Sequence, residues 1–152
     1  MISRGDPHLW RTRLVTWLSL AAIAHVIGGL IMFFCSSHPW TGDYHRAVAK
    51  AFWPSSVDMD VVRREQAWWM SLFGATVQCL GIWMLALVRY AGRRRVAEIW
   101  LWLAVGLLVW APQDMLLSWQ ACVTVNLIVD SLALLAMLPA LFLLWRWDRV
   151  AN

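Results

Sequence analysis

The stretch Val96–Trp145, VAEIWLWLAVGLLVWAPQDMLLSWQACVTVNLIVDSLALLAMLPALFLLW, decides the fold. It divides at Gln120-Ala121-Cys122 into two apolar runs, about 96–119 and 123–145. Each is near the ~20 residues that carry a helix across ~30 Å of hydrocarbon. Trp102 and Trp119 lie about 17 residues apart, or ~26 Å of helix. Amphipathic rings prefer the two membrane interfaces, so the first run crosses despite Pro112.

Two similar runs precede it, about 14–34 and 67–88. Of the 13 tryptophans, Trp17, Trp40, Trp68, Trp69, Trp100, Trp145 and Trp147 also fall near the ends of the four runs. The first run is longer than the apolar core of a signal peptide and no small-residue cleavage site follows it, so it reads as a retained span. Bulky Phe34 before Cys35 argues against lipidation of that cysteine. Across all 152 residues, 61% are hydrophobic and 14% are Asp, Glu, Lys or Arg. Soluble domains carry about 25% charge, so a water-soluble globule and a disordered chain are excluded. Alternating strands of roughly ten residues, which a membrane barrel needs, are absent. Helices remain, because a helix satisfies its own backbone inside hydrocarbon. The fold expected is an all-α bundle of four transmembrane helices in one domain.

Basic residues set the expected orientation. Arg4, Arg11, Arg13, Arg89, Arg93, Arg94, Arg95, Arg146 and Arg149 lie on one side, against Arg46, Lys50, Arg63 and Arg64 on the other. The excess puts both termini and the 89–95 loop in the cytoplasm, as in a bacterial inner membrane protein. The net charge of +4 flanks the spans instead of forming a nucleic-acid surface. Arg93-Arg94-Arg95 reads better as a contact for anionic lipid.

The outer segment, 35–66, is the one sizeable part outside the membrane. Within it Tyr44, Val48, Ala51 and Phe52 share one helical face, while His45, Arg46, Ala49 and Lys50 share another. That predicts a short amphipathic helix on the membrane surface, ended by Pro54. Ser55 and Asp58 resemble a capping box, so the second long helix starts outside the bilayer. Asp60 and Arg64, four apart, can pair on its first turns.

Polar side chains inside the spans are few: His25, Gln78, Gln113, Asp114, Asn126 and Asp130. Each lies on a stripe of small or polar residues. These are Ala21, His25, Gly28 and Gly29; Ser71, Gly74, Gln78 and Gly81; Gly106, Trp110, Gln113 and Asp114; and Asn126, Asp130, Ala133 and Met137. Such stripes let helices approach and hydrogen-bond, so the four are expected to face one another. His25 and Gln78 fall near the midplane. Asp114, five residues before Trp119, sits about 7 Å below the outer surface. Asn126 and Asp130 are similarly shallow. The expectation is a polar funnel, acidic toward the outer leaflet and closed below His25, where only Thr16 and Ser19 are polar. The two acids, if adjacent, would share a proton. Pro112 frees the carbonyl of Leu108, and Pro139 that of Leu135.

No Cys-x-x-Cys, His-Glu-x-x-His, Walker or Gly-x-Gly-x-x-Gly pattern occurs. One intramembrane histidine cannot ligate haem from both sides, and no cofactor is expected. Cys35, His38, Asp43 and His45 are metal ligands by type but fit no standard spacing. Cys35 and Cys122 both fall at outer helix ends, where a disulfide would close the top of the bundle. Cys79 lies mid-span.

Two functions compete. In the first, the funnel binds an amphipathic lipid or quinone-like ligand, held by Asp114 and Asp130 and oriented by Gln113, Asn126, Gln78 and His25. In the second, the polar stripes only join helices, and the chain is an accessory subunit that meets a membrane-protein partner or further copies of itself. Proton-coupled transport would need a route past His25, and no arrangement of residues demands an enzyme.

Overall fold

The structure, a computed structural model, describes residues 7–53 and 58–151. It contains five α-helices: α1 (Pro7–Cys35), α2 (Gly42–Phe52), α3 (Met59–Arg94), α4 (Ala97–Gln120) and α5 (Thr124–Ala151). A 3-10 turn at Pro39–Thr41 precedes α2, and the described residues include no strand. Four of the helices, all but α2, are long and apolar enough to cross a membrane. The protein is an integral membrane helical bundle. α3 has 36 residues, or ~54 Å of helix, and so extends well beyond a bilayer's hydrocarbon. One side of the bundle carries the start of α1 and the end of α5, and the opposite side carries α2.

The four long helices do not converge evenly. They form two pairs, α1 with α3 and α4 with α5. Glycine makes the first pair close. A Cβ on Gly29 would lie 2.5 Å from the carbonyl oxygen of Gly74, and one on Gly74 would lie 2.7 Å from that of Gly29. Further along the pair, a Cβ on Gly81 would meet Val26 at 2.8 Å, and on Gly92 it would meet Val15 at 2.9 Å. Backbones this near gain dispersion contacts that lipid tails cannot replace. At the α2 end of the pair, the Ser71 hydroxyl lies 2.9 Å from that of Ser36 and within reach of the Phe33 carbonyl.

The second pair is a hairpin closed by a Schellman turn. Val123 N–H donates to Ser118 O at 2.9 Å and Cys122 N–H to Trp119 O at 3.0 Å. This geometry needs a left-handed residue, and Cys122 occupies it with φ of 57°. Asn126 Nδ2 bridges the hairpin to Ser118 Oγ at 3.2 Å. α4 and α5 run on through Pro112 and Pro139 without a break in either helix.

The two pairs join on the side of the chain ends. Leu18 of α1, Val88 and Ala91 of α3, Trp100 of α4, and Met137, Ala140, Leu141 and Leu144 of α5 form one buried cluster. Trp17 Nε1 also donates to Ala136 O across the pairs, at 2.9 Å.

Several expectations from sequence change in the folded chain. α2 forms as a helix, but the face that docks is the one read as polar: His45 and Ala49 are buried, while Ala51 and Phe52 are exposed. Asp58 is itself the N-cap of α3, its carboxylate accepting from Asp60 N–H at 2.9 Å. It is therefore not the second member of a box begun by Ser55; Ser55 and Pro54 lie outside the described residues, as does Arg4. Asp60 and Arg64 form no ion pair among the described residues, whereas Arg46 pairs with Asp43 on exposed α2.

Candidate functional site

The sequence-predicted polar residues are shared between the two pairs, and only some of them meet. Asp114 and Asp130 do. They lie close to each other across the α4–α5 hairpin. Asp130 is 2% exposed and Asp114 half-buried. The Oδ2 atom of Asp130 is buried and has no hydrogen-bond partner. Asn126 sits one turn from Asp130 and is held by Ser118. The turn at Cys122 and the approach of small residues Ala111 and Ser118, both buried, bring this acidic pair together.

The remaining three act differently. His25 Nδ1 lies 2.7 Å from Ala21 O, Gln78 Nε2 3.3 Å from Gly74 O, and Gln113 Nε2 2.8 Å from Val109 O. Every one of these contacts is to the residue four positions earlier on the same helix. Among the described residues none of the three side chains hydrogen-bonds to a second helix, although Gln78 packs against Gly29 of α1. His25 and Gln78 lie on the α1–α3 pair and the acids on the α4–α5 pair. Among the described residues no hydrogen bond links the two sets.

α4 presents a continuous face beside the acids. Gln113 is exposed, and Trp110, one turn below Asp114, is 40% exposed. Gly106, a further turn below, has open space where a Cβ would stand.

A second polar centre, not anticipated from sequence, seals the opposite side. Arg11 Nε and Nη2 donate to Asp148 Oδ1 and Oδ2, both at 2.9 Å. Trp100 Nε1 donates to the same Oδ2 at 2.9 Å, and Arg11 Nη1 to Gly92 O at 3.1 Å. One fully buried carboxylate therefore ties all four long helices. Its signal in the sequence was a lone acid, Asp148, between Arg146 and Arg149.

A third centre fixes α2. His45 Nε2 donates to Ser36 O at 2.8 Å, and Thr41 Oγ1 lies 3.0 Å from the same oxygen. With the Gln66 amide set so that its neighbours are satisfied, its nitrogen lies 3.2 Å from His45 Nδ1 and its oxygen 3.2 Å from Ala49 N. In that arrangement Nδ1 accepts and Nε2 donates, so both ring nitrogens have partners. Cys35, His38, Asp43 and His45 do not assemble as ligands: His38 caps the 3-10 turn, Asp43 holds Arg46, and His45 is used as described. Among the described residues no three such side chains are arranged to hold a metal ion. Cys35, Cys79 and Cys122 are free thiols; Cys35 belongs to α1 and Cys122 to the α4–α5 turn.

Comparison with known proteins adds no family: no family model matches the chain, no curated protein matches it, and no solved structure matches it.

Proposed function

We propose that this protein binds an amphipathic ligand, a lipid or quinone-like molecule, against the exposed face of α4 beside Asp114 and Asp130. In this reading the α2 side is the outer side, both termini are cytoplasmic, and the membrane is a bacterial inner membrane. One observation carries the proposal: Gln113, Gln78 and His25 bond only to their own helices. Polar side chains in hydrocarbon are costly, and joining helices is their ordinary use. Here they hydrogen-bond to no second helix among the described residues, and Gln113 stands exposed next to an acid. Its surroundings supply what an amphipath needs, a polar head site near one interface and an aromatic, open strip along Trp110 and Gly106 for the tail.

Exposed Gln113 also favours a second reading, in which a partner subunit or second copy covers α4. Transport would require passage where Leu18, Val88, Trp100, Leu141 and Leu144 are buried and Arg11 grips Asp148.

Mass spectrometry of the protein gently extracted from its own membrane tests the choice. A specific lipid or quinone, lost on combining Asp114→Asn with Asp130→Asn, is the expected result. Co-purification of a protein alone, kept in the double variant, would transfer the assignment to an accessory subunit.

A further inference from the structure

α4 begins and α5 ends at the same membrane surface, and a cleft of about 470 Å³ opens between them, lined by Val96, Ala97, Glu98, Trp145 and Arg149. That volume falls in the ~300–1,000 Å³ range of small-molecule clefts. Arg149, one turn after Trp145 on α5, lays its guanidinium 5.3 Å from the centre of that indole ring. Glu98 stands in the first turn of α4. Both charges are exposed, and neither forms an ion pair among the described residues, with the other or with any third group. An acid at a helix start and a base at a helix end complement the two dipoles, which explains the presence of each charge. Opposite charges that line one cleft without closing on each other fit, in addition, a ligand that carries both.

The position of the cleft narrows the choice to lipid. Trp145 and Trp147 mark this end of α5 as the interface, the depth at which head groups lie. Leu101, one turn beyond Ala97, and Phe142, whose ring contacts Trp145, are exposed and continue the apolar surface from the cleft into the membrane. Arg93, Arg94 and Arg95 at the end of α3 would draw any anionic lipid, but they lie outside the lining of the cleft. Within it, an anionic head would meet Glu98 as well as Arg149. A choline head brings positive charge without an N–H donor. An ethanolamine head supplies a phosphate for the guanidinium and an ammonium, with three donors, for the carboxylate.

We propose that this cleft binds a phospholipid with an ethanolamine head, its phosphate on Arg149, its ammonium on Glu98 and its acyl chains along Leu101 and Phe142. The site is separate from the one proposed beside Asp114, which lies toward the other end of α4.

Native mass spectrometry of the full chain tests it, with the protein ejected from nanodiscs holding equal amounts of phosphatidylethanolamine, phosphatidylglycerol and phosphatidylcholine with matched acyl chains. Retention of phosphatidylethanolamine over both others is expected. Glu98→Gln should reduce that preference about two- to fivefold, the range of an exposed ion pair, and Arg149→Gln should lower retention of all three lipids. Lys50→Gln, on α2 at the opposite end, should change neither. Thermal melting like that of the unaltered chain shows that each variant is folded. Equal retention of the three lipids, a preference for phosphatidylglycerol, or an ethanolamine preference that survives Glu98→Gln overturns the inference. So does displacement of the lipid by soluble glycerophosphoethanolamine at equal concentration, because the ligand would then be water-soluble.

Discussion

Arg11, near the start of α1, and Asp148, near the end of α5, are separated by 137 positions and joined by two parallel hydrogen bonds of 2.9 Å. The carboxylate side chain is 0% exposed and the guanidinium 14%. Removing one partner would leave the other charge buried and uncompensated. Arg11→Ala is expected to destabilise by about 3–5 kcal/mol, while the double change Arg11→Met with Asp148→Leu should cost far less. Thermal unfolding in mild detergent checks this. Equal losses in the single and double variants would show that the pair is not the source of the effect.

The α1–α3 contact depends on missing side chains. Gly74→Ala places a methyl 2.7 Å from Gly29 O and 2.8 Å from Phe33 N, both backbone atoms that cannot swing aside. It should destabilise by about 1–3 kcal/mol. Gly106→Ala, which meets nothing within 4 Å, is the control and should be nearly silent. Comparable shifts in melting temperature for the two would contradict the close pairing.

Docking of α2 rests on His45. Replacing it with Ala removes its bonds to the Ser36 carbonyl and the Gln66 amide, which keep Thr41 Oγ1 and the α2 backbone as partners, at an expected cost of about 0.5–1.5 kcal/mol. Because α2 makes few other links, the loss should be local. Hydrogen exchange should rise across 42–52 and stay unchanged in the membrane part of α3. Uniformly faster exchange would mean that the cap supports the whole fold.

Cys122 occupies a left-handed position that glycine adopts without cost, at φ of 57°. Cys122→Gly should stabilise the α4–α5 hairpin by up to about 1 kcal/mol. Since Cys122 is an exposed free thiol and Cys35 a half-buried one, both should accept maleimide under non-reducing conditions. Protection of both until a reductant is added would instead indicate a disulfide.

Much of the fold was legible because crossing a membrane is a local property. Transfer of a residue into hydrocarbon depends little on its neighbours, so summing over about 20 residues located each long helix. The start of α3 outside the apolar run was readable from Asp58, although its role there, as cap instead of box partner, was not. Of the candidate site, the sequence left the meeting of Asp114 with Asp130 conditional, since a short hairpin makes their helices neighbours without setting which faces meet. That His25 and Gln78 would bond within their own helices did not follow, because any of four small-residue stripes has the chemistry to pack on any other.

Pairing was settled by fit in three dimensions. Gly29 and Gly74 match in register at a distance where backbones touch, and no local sum expresses that. Apolar periodicity marked α2 as an amphipathic surface helix and could not say which face would dock on the rest of the chain. The docked face carries His45 because Ser36 and Gln66, far along the chain, complete its hydrogen bonds. Arg11 read as an orientation signal and became a structural charge once folding set Asp148, Trp100 and Gly92 around it. Length and apolarity were enough for the number of long apolar helices and their approximate places. Which helices pair, which face is buried and which charges are held inside depended on partners distant in sequence, since hydrogen bonds and close packing are short-ranged in space.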